Sequence, residues 1–356
     1  MNGVTLKFSC NKVFATRLTV QAGIVGLTRR KKEILDREYS NLQRFLKGNK
    51  TVPLYSANKQ QALRYYRKVK QKEYPLSLRN DLINLRRAKA FWFLKIPVYG
   101  VRGGVKVPVK PHKEFPEGKL CESKIVRKKD RYVVMLTFEF EAPPMRRCSS
   151  ILAVDLGERF VATTVLWRQG VMKVQFLGRE IRGIRRHYAW LRRRLQEKRL
   201  LKVVKRVGCK ERRVVNVILH RVSKSIVSLA LASNSYIVLG DLTGIRQRAK
   251  GKRLNRIVSN MPYYRLTKMI EYKATLKGIP VITTSETYTS KTCHICGCEG
   301  KRKTQGLFVC PHCGEYNADL NGAINIAKKF ERWMSYMPST GLPVNQPLTM
   351  QSHGSP

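Results

Sequence analysis

Three observations on the sequence predict a mixed α/β chain in two folded regions, the second carrying an inserted zinc ribbon. First, two CxxC pairs, Cys293/Cys296 and Cys310/Cys313, lie thirteen residues apart. Two thiols on one tight turn, completed by a second such turn, make a tetrahedral cage for zinc, and residues 301–309 suit the hairpin between the two turns. A disulfide pair is the competing reading, and no secretory context supports it. Second, residues 150–157 (SILAVDLG) form an apolar strand ending in an acid and a glycine, and two more strands follow at 160–166 and 171–177. Third, alternating segments on either side of residues 29–94 are interrupted by helical periodicity, as in a small β-barrel with helices inserted into it.

Charge narrows the function. The chain has 356 residues, with 71 Lys+Arg against 23 Asp+Glu, a net charge of +48. Such a chain repels itself unless polyanion covers it, so nucleic acid is the natural partner. A hydrophobic content of 43% argues for folded domains rather than a basic tail. A structural RNA-binding protein would fit the charge but would leave the acidic motifs unexplained. Nine cysteines, four of them in the ribbon, suit a reducing cytosol. No signal peptide is evident at the N-terminus and no apolar run approaches eighteen residues, so no membrane span is expected.

In order, residues 4–26 read as one or two strands. Helices are expected from residue 29 (stripe Leu35, Tyr39, Leu42, Leu46), over 57–70, and over 77–91 (stripe Leu78, Leu82, Leu85). Strands return at 95–99, 105–109, 123–127 and 132–141, the last placing Val134, Leu136, Phe138 and Phe140 on one face. The cluster Arg64, Tyr65, Tyr66, Arg67, Lys68, Lys70, Lys72 reads equally as a phosphate- and base-binding patch or as a solvated face with two core tyrosines. Pro143 and Pro144 mark a linker.

In the second region, an Asp inside a first strand followed by a β-meander is how the RNase H fold begins. A buried Asp is costly unless it has a cation or a basic partner, so Asp155 calls for one. Residues 182–213 hold fourteen Lys/Arg and two Glu, yet keep the stripe Ile184, Tyr188, Leu191, Leu195. That charge exceeds what a solvated face needs and favours helices facing nucleic acid. A helix over 214–232, a strand over 235–239 ending in Gly240-Asp241-Leu242, a basic loop over 243–260, a helix over 262–277 carrying Glu271, and a strand over 279–284 follow. Asp319 opens the last helix, and residues 338–356 read as a disordered tail.

The succession of DLG strand, basic helices, GDL strand, helix, strand, TSKTC, two CxxC pairs and ADLNGAINIA resembles the RuvC-like nuclease of transposon-encoded TnpB proteins, compact relatives of type V CRISPR effectors. The motifs cover residues 150 to about 335; the N-terminal half agrees in architecture alone. The resemblance implies an α/β plus α+β fold, an RNase H-like (RuvC) domain with an inserted zinc ribbon, preceded by a β-barrel (wedge) domain with a helical insertion. The implied boundaries are 1–28 and 95–146 for the barrel, 29–94 for the helical recognition insertion, 147–285 and 317–337 for the RuvC-like domain, 286–316 for the ribbon and 338–356 for the tail.

The implied activity is RNA-guided, Mg²⁺-dependent hydrolysis of double-stranded DNA beside a short flanking motif. It would use a guide RNA derived from the transposon end, structural Zn²⁺ on Cys293, Cys296, Cys310 and Cys313, and two catalytic Mg²⁺ about 4 Å apart. The place of action would be the cytoplasm, in association with the nucleoid, with no membrane partner. Of the family's three metal-binding acids, Asp155 matches the first and Asp319 the third. The second departs: Gly240 stands where the family has Glu. Glu271 is the favoured substitute, because a long side chain on a helix packed at the sheet edge can reach the site. Asp241 and Glu286 are the other candidates. A nuclease-inactive, repressor-like RNA-guided DNA-binding protein is the alternative function, and a weak two-acid nuclease a further one.

Overall fold

A computed structural model describes residues 6–8, 15–88, 91–128, 130–242, 251, 262–285 and 289–335. Two compact units divide the chain: residues 14–141, and residues 1–13 with 142–356.

The chain enters on β1 (Leu6–Phe8), which belongs to the sheet of the larger unit, whereas the sequence placed it in the barrel. The smaller unit begins with β2 (Ala15–Ile24), α1 (Arg29–Leu46) and α2 (Ser56–Tyr66). Thr28 caps α1, its hydroxyl accepting from Lys31 N, and the expected stripe of Leu35, Tyr39 and Leu42 is buried. The expected third helix is absent. Residues 77–91 instead contribute to β3 (Leu76–Leu78), β4 (Asn84–Ala88) and β5 (Phe91–Ile96). The leucine spacing fits a helix, but Leu76 and Leu78 pair across to Ile125 and Ser123. Arg79 and Asp81 close the intervening turn with an ion pair. Non-local pairing has overridden a local period.

The strands β6 (Val105–Pro111), β7 (Lys119–Leu120), β8 (Ser123–Lys128) and β9 (Arg131–Glu141) complete an antiparallel sheet of eight strands, ordered β3-β8-β9-β2-β6-β5-β4 with β7 on β9. Among the described residues β3 and β4 are its two ends, so the expected barrel is a half-barrel. Val134, Leu136 and Phe138 line its core as their alternation requires.

The larger unit is built on β10 (Ser150–Asp155), β11 (Ala162–Trp167), β12 (Val171–Leu177), α3 (Glu180–Glu197), α4 (Leu201–Ala232), β13 (Ser235–Asp241), α5 (Tyr263–Thr275) and β14 (Val281–Ser285). The ribbon strands β15 (Lys301–Thr304), β16 (Leu307–Cys310) and β17 (Gly314–Asn317) follow, then α6 (Ala318–Ser335). The sheet order is β1-β14-β13-β10-β11-β12, with β14, β13 and β10 parallel and β10–β12 an antiparallel meander.

Strand alternation sorts its residues onto two faces. Leu152, Val154, Ile237, Leu239 and Val281 pack with α4 and α5. Ile151, Ala153, Tyr236, Val238 and Ile282 pack with α6. The α3–α4 pair carries the basic run, and Ile181 is the only fully buried residue of α3.

Among the described residues one helix, α4, is long and apolar enough by length and composition to cross a bilayer, although it contains no unbroken apolar run of that length. Its apolar window is 44% buried, and Val215, Ile218, Leu219, Val222 and Ile226 belong to the sheet-facing core. The basic loop over 243–260 (Gly251 apart) and the tail over 338–356 lie outside the described residues.

Candidate functional site

The four thiols come together. The Sγ atoms of Cys293, Cys296, Cys310 and Cys313 all lie within 4.8 Å of one another, and those of Cys296 and Cys310 are 3.5 Å apart. A tetrahedral ion with metal–sulfur bonds of about 2.3 Å needs Sγ–Sγ edges of about 3.8 Å, so the cluster suits a metal of zinc's preferences. The protonation of the cluster is uneven. Burial works to raise Cys310, but amides of His312 and Cys313 and the neighbouring thiols hold it down to about 7. The hydrogen bond with Cys296 and then burial push Cys313 up to about 12. A bound cation would relieve this by taking all four as thiolates.

The ribbon is fastened to α6 by a polar ladder on one helix face. Asn321 Oδ1 accepts from His294 N at 2.9 Å, and Asn321 Nδ2 donates to Thr292 O at 2.9 Å. Asn325 Nδ2 donates to Thr289 O and Thr292 O, and Lys328 Nζ to His294 O. Residues at i, i+4 and i+7 share a helix face, so the first Cys turn is held by the helix that Asp319 opens. The asparagines of ADLNGAINIA are therefore clamps. Polar residues at buried spacing in an apolar helix were the signal for them in the sequence.

Asp155 and Asp319 are brought together at the end of β10. Asp155 lies on the α6 face by alternation, and α6 meets it through Gly322, one turn beyond Asp319. A Cβ at Gly322 would stand 3.1 Å from Asp155 Oδ2, and one at Gly157 would stand 3.5 Å from Asp319 Oδ1. The first distance is tighter than ordinary contact, so a side chain at Gly322 would make Asp155 shift by a few tenths of an ångström, whereas the second is ordinary van der Waals contact. Asn317 Oδ1 accepts from Asp319 N and Leu320 N, fixing the start of the helix.

Three groups that the sequence reading missed complete the surroundings. Arg302, on β15, donates from Nη2 to Asp319 Oδ1 at 2.6 Å. Arg159 adds a second positive charge near Asp319. The hydroxyls of Thr163, opposite Asp155 on β11, and of Thr284, opposite Gly240 on β14, are buried without partners, as is Asp319 Oδ2. Unsatisfied buried oxygens are costly. The two carboxylates, with the Thr163 hydroxyl across from Asp155, offer the kind of oxygen donors that a hard divalent cation takes.

Burial and then the neighbouring Asp319 push Asp155 from 3.8 up to about 7, with Arg302 opposing. Burial also raises Asp319, against the pull of Arg302 and Arg159. The folded state thus holds a proton that the unfolded chain releases between pH 3.8 and about 7. The stability contributed by that proton is present at the acid end and lost as pH rises through this window. With divalent ions removed, wild-type protein should lose more melting temperature from pH 4 to 7 than Asp155→Asn; equal slopes would exclude Asp155 as the source.

The structure does not bring Glu271 to this pair. It lies on α5, whose Leu266, Met269, Ile270 and Ala274 pack on the face of the sheet opposite Asp155. Its carboxylate is held 2.6 Å from Lys268 Nζ. The expectation that Glu271 reaches the pair from the sheet edge is not met, because α5 covers the opposite face of the sheet. Gly240 sits one step past the Val154–Leu239 pair, beside Asp155 and on its face, where a longer acidic side chain would join the two carboxylates. Asp241 alternates to the other face, and Glu286 lies outside the described residues.

A Cys₄ ribbon clamped to a helix whose first-turn acid meets a second acid at the end of a central strand defines a class: an α/β protein with a metal-suited ribbon inserted beside a carboxylate pair. A family model described as the Cas12f1-like TNB domain matches residues 263–326. The chain is 30% identical over 229 residues to the CRISPR-associated endodeoxyribonuclease Cas12f2 of a Micrarchaeota archaeon, covering 56% of this chain and 40% of that one. It is 28% identical over 227 residues to a TnpB-like protein of Methanocaldococcus jannaschii, covering 61% of this chain and 81% of the relative. Against Cas12f2, the chain thus spans less than half of the relative's length. Among solved structures, Cas12f1 in a complex with sgRNA and target DNA has the same fold, with a TM-score of 0.55, 14% identity, and 84% of this chain and 80% of that chain covered. Over these spans the chain is similar to TnpB-like and Cas12f proteins.

Proposed function

We propose that the protein is an RNA-guided DNA endonuclease of the TnpB type, acting next to a short flanking motif, with its larger unit serving as the RNase H-like (RuvC) nuclease domain. The observation that carries the reading is the meeting of Asp155 and Asp319 against Gly322, at the end of the central strand. In this reading the two carboxylates, with Thr163 across from Asp155, would hold Mg²⁺, which would supply activation of water and charge neutralisation at the phosphate. Asp319 is positioned by the first turn of α6, and Asp155 by the strand. The ribbon takes Zn²⁺ on its four cysteines as a structural ion.

The net charge of +48 and the basic α3–α4 pair support a guide RNA derived from the transposon end and target double-stranded DNA as partners. Base pairing would carry the sequence specificity, and the protein would read backbone shape and the flanking motif. The test is to sequence the RNA that copurifies with the protein, then to assay cleavage of a target library with randomised flanks in Mg²⁺ or Mn²⁺.

Gly240 favours a second reading. Its lack of a side chain leaves the pair without a third acid from β13, which suits a nuclease-inactive, RNA-guided DNA-binding protein acting as a repressor. Target binding without any cleavage would establish that reading in place of the first. Within the nuclease reading, Glu271→Ala should leave cleavage within about twofold of wild type, as for substitutions away from a site. A large loss would restore Glu271 as the third acid, and parallel Asp241→Ala and Glu286→Ala variants locate that acid if it lies there.

A further inference from the structure

We propose that Arg302, delivered by the ribbon hairpin, is a built-in counter-ion that competes with a divalent cation for Asp319, so that the ribbon sets how readily the acid pair takes up metal. The proposal rests on the reading of Asp155 and Asp319 as a cation site.

The first support is a charge count at the pair. Two carboxylates, Asp155 and Asp319, face two guanidiniums, Arg302 and Arg159, whose fields reach Asp319. With both carboxylates ionised the cluster is neutral. A divalent ion entering it meets two positive charges, and one must withdraw for the carboxylates to bind the ion with full charge.

The second support is an asymmetry of burial. The side chain of Asp319 is 2% exposed and that of Arg302 is 39% exposed. The acid is fixed in the wall of the site, while the arginine has a path to solvent. The same Nη2 that meets Asp319 also donates to Gln305 O at 2.5 Å, so the turn of the ribbon hairpin aims the guanidinium. Arg159 lies over the Phe160 ring and packs against Gly306 in that turn, where a Cβ would collide with it.

The third support is the division of labour between the oxygens of Asp319. Oδ1 is taken by Arg302, while Oδ2 is buried and unpartnered. A cation can approach Oδ2 and Asp155, but binding through both oxygens of Asp319 requires Arg302 to let go. Arg302 is thus a positioning and gating group supplied by a domain that was expected only to hold the fold together.

The experiment uses zinc-loaded, full-length protein freed of RNA, with Mn²⁺ binding followed by the loss of the free-ion electron paramagnetic resonance signal. Arg302→Gln should bind Mn²⁺ about tenfold more tightly than wild type, the worth of one charge-assisted hydrogen bond. Arg302→Lys should fall between, since a point charge without the fork holds Asp319 less well. Unchanged or weaker binding in Arg302→Gln overturns the proposal. If that variant folds poorly, the Mn²⁺-induced rise in melting temperature of Arg302→Lys decides: a larger rise than wild type supports competition, and an equal or smaller one overturns it. The underlying site is tested separately, because Asp155→Asn and Asp319→Asn should each abolish the binding. If they bind as wild type does, the cation-site reading itself fails, and the proposal with it.

Discussion

Asp155→Ala and Asp319→Ala should each reduce metal-dependent DNA cleavage by about a thousandfold or more, because the metal supplies several kcal/mol of charge stabilisation that one remaining carboxylate cannot hold in place. Both variants should still copurify with RNA and bind target DNA, since neither side chain belongs to the basic surface. The two substitutions should not be additive: once one acid is gone the cation site is gone, and removing the second costs little more. The measurement is single-turnover cleavage of a guide-matched duplex in Mg²⁺, with target binding followed in parallel. Retained cleavage in either variant would remove the pair from the chemistry. Binding without cleavage in the wild-type protein would move the protein to the repressor reading that Gly240 favours.

Removal of zinc should be nearly as damaging, and at a distance. A structural zinc contributes on the order of 10 kcal/mol to the fold of a small module. The ribbon core is small, consisting of Cys293, Phe308, Cys310 and Ala318. Without the ion, β15–β17 should unfold, and the loss should pass to the acid pair by two routes. Arg302 leaves Asp319 with the hairpin, and Asn321, Asn325 and Lys328 lose the segment they clamp on α6. Hydrogen exchange should show lost protection in residues 301–317 and in the first turns of α6, with the half-barrel of the smaller unit unaffected. Cys310→Ser should reproduce the pattern. Chelation that opened the ribbon and left the start of α6 protected would mean that the clamp does not couple the two.

Much of the candidate site was legible beforehand because its parts are short and local. CxxC spacing is a property of one turn, and an acid ending an apolar strand or opening an apolar helix is visible within eight residues. The pairing of Asp155 with Asp319 came from a resemblance of motifs, since nothing local connects residues so far apart. Glu271 was misplaced because a helical period shows which of its residues are buried but not which face of a sheet the helix covers. Residues 77–91 were misread for a related reason: leucines at helical spacing also serve strands when partners such as Ile125 are available across the sheet.

The ingredients are readable in the chain alone: a polyanion-binding charge, a Cys₄ ribbon, two acids on regular elements, and a glycine where a third acid was expected. Those follow from composition and from periods of two to four residues, which need no knowledge of distant neighbours. Tertiary structure alone decided which face each residue serves and what meets it there. It put Arg302 on Asp319, Gly322 against Asp155, an unpartnered Thr163 across from Asp155, and Glu271 on the far side of the sheet. Such contacts depend on strand register and helix layering, which are settled by packing energies summed over the whole unit.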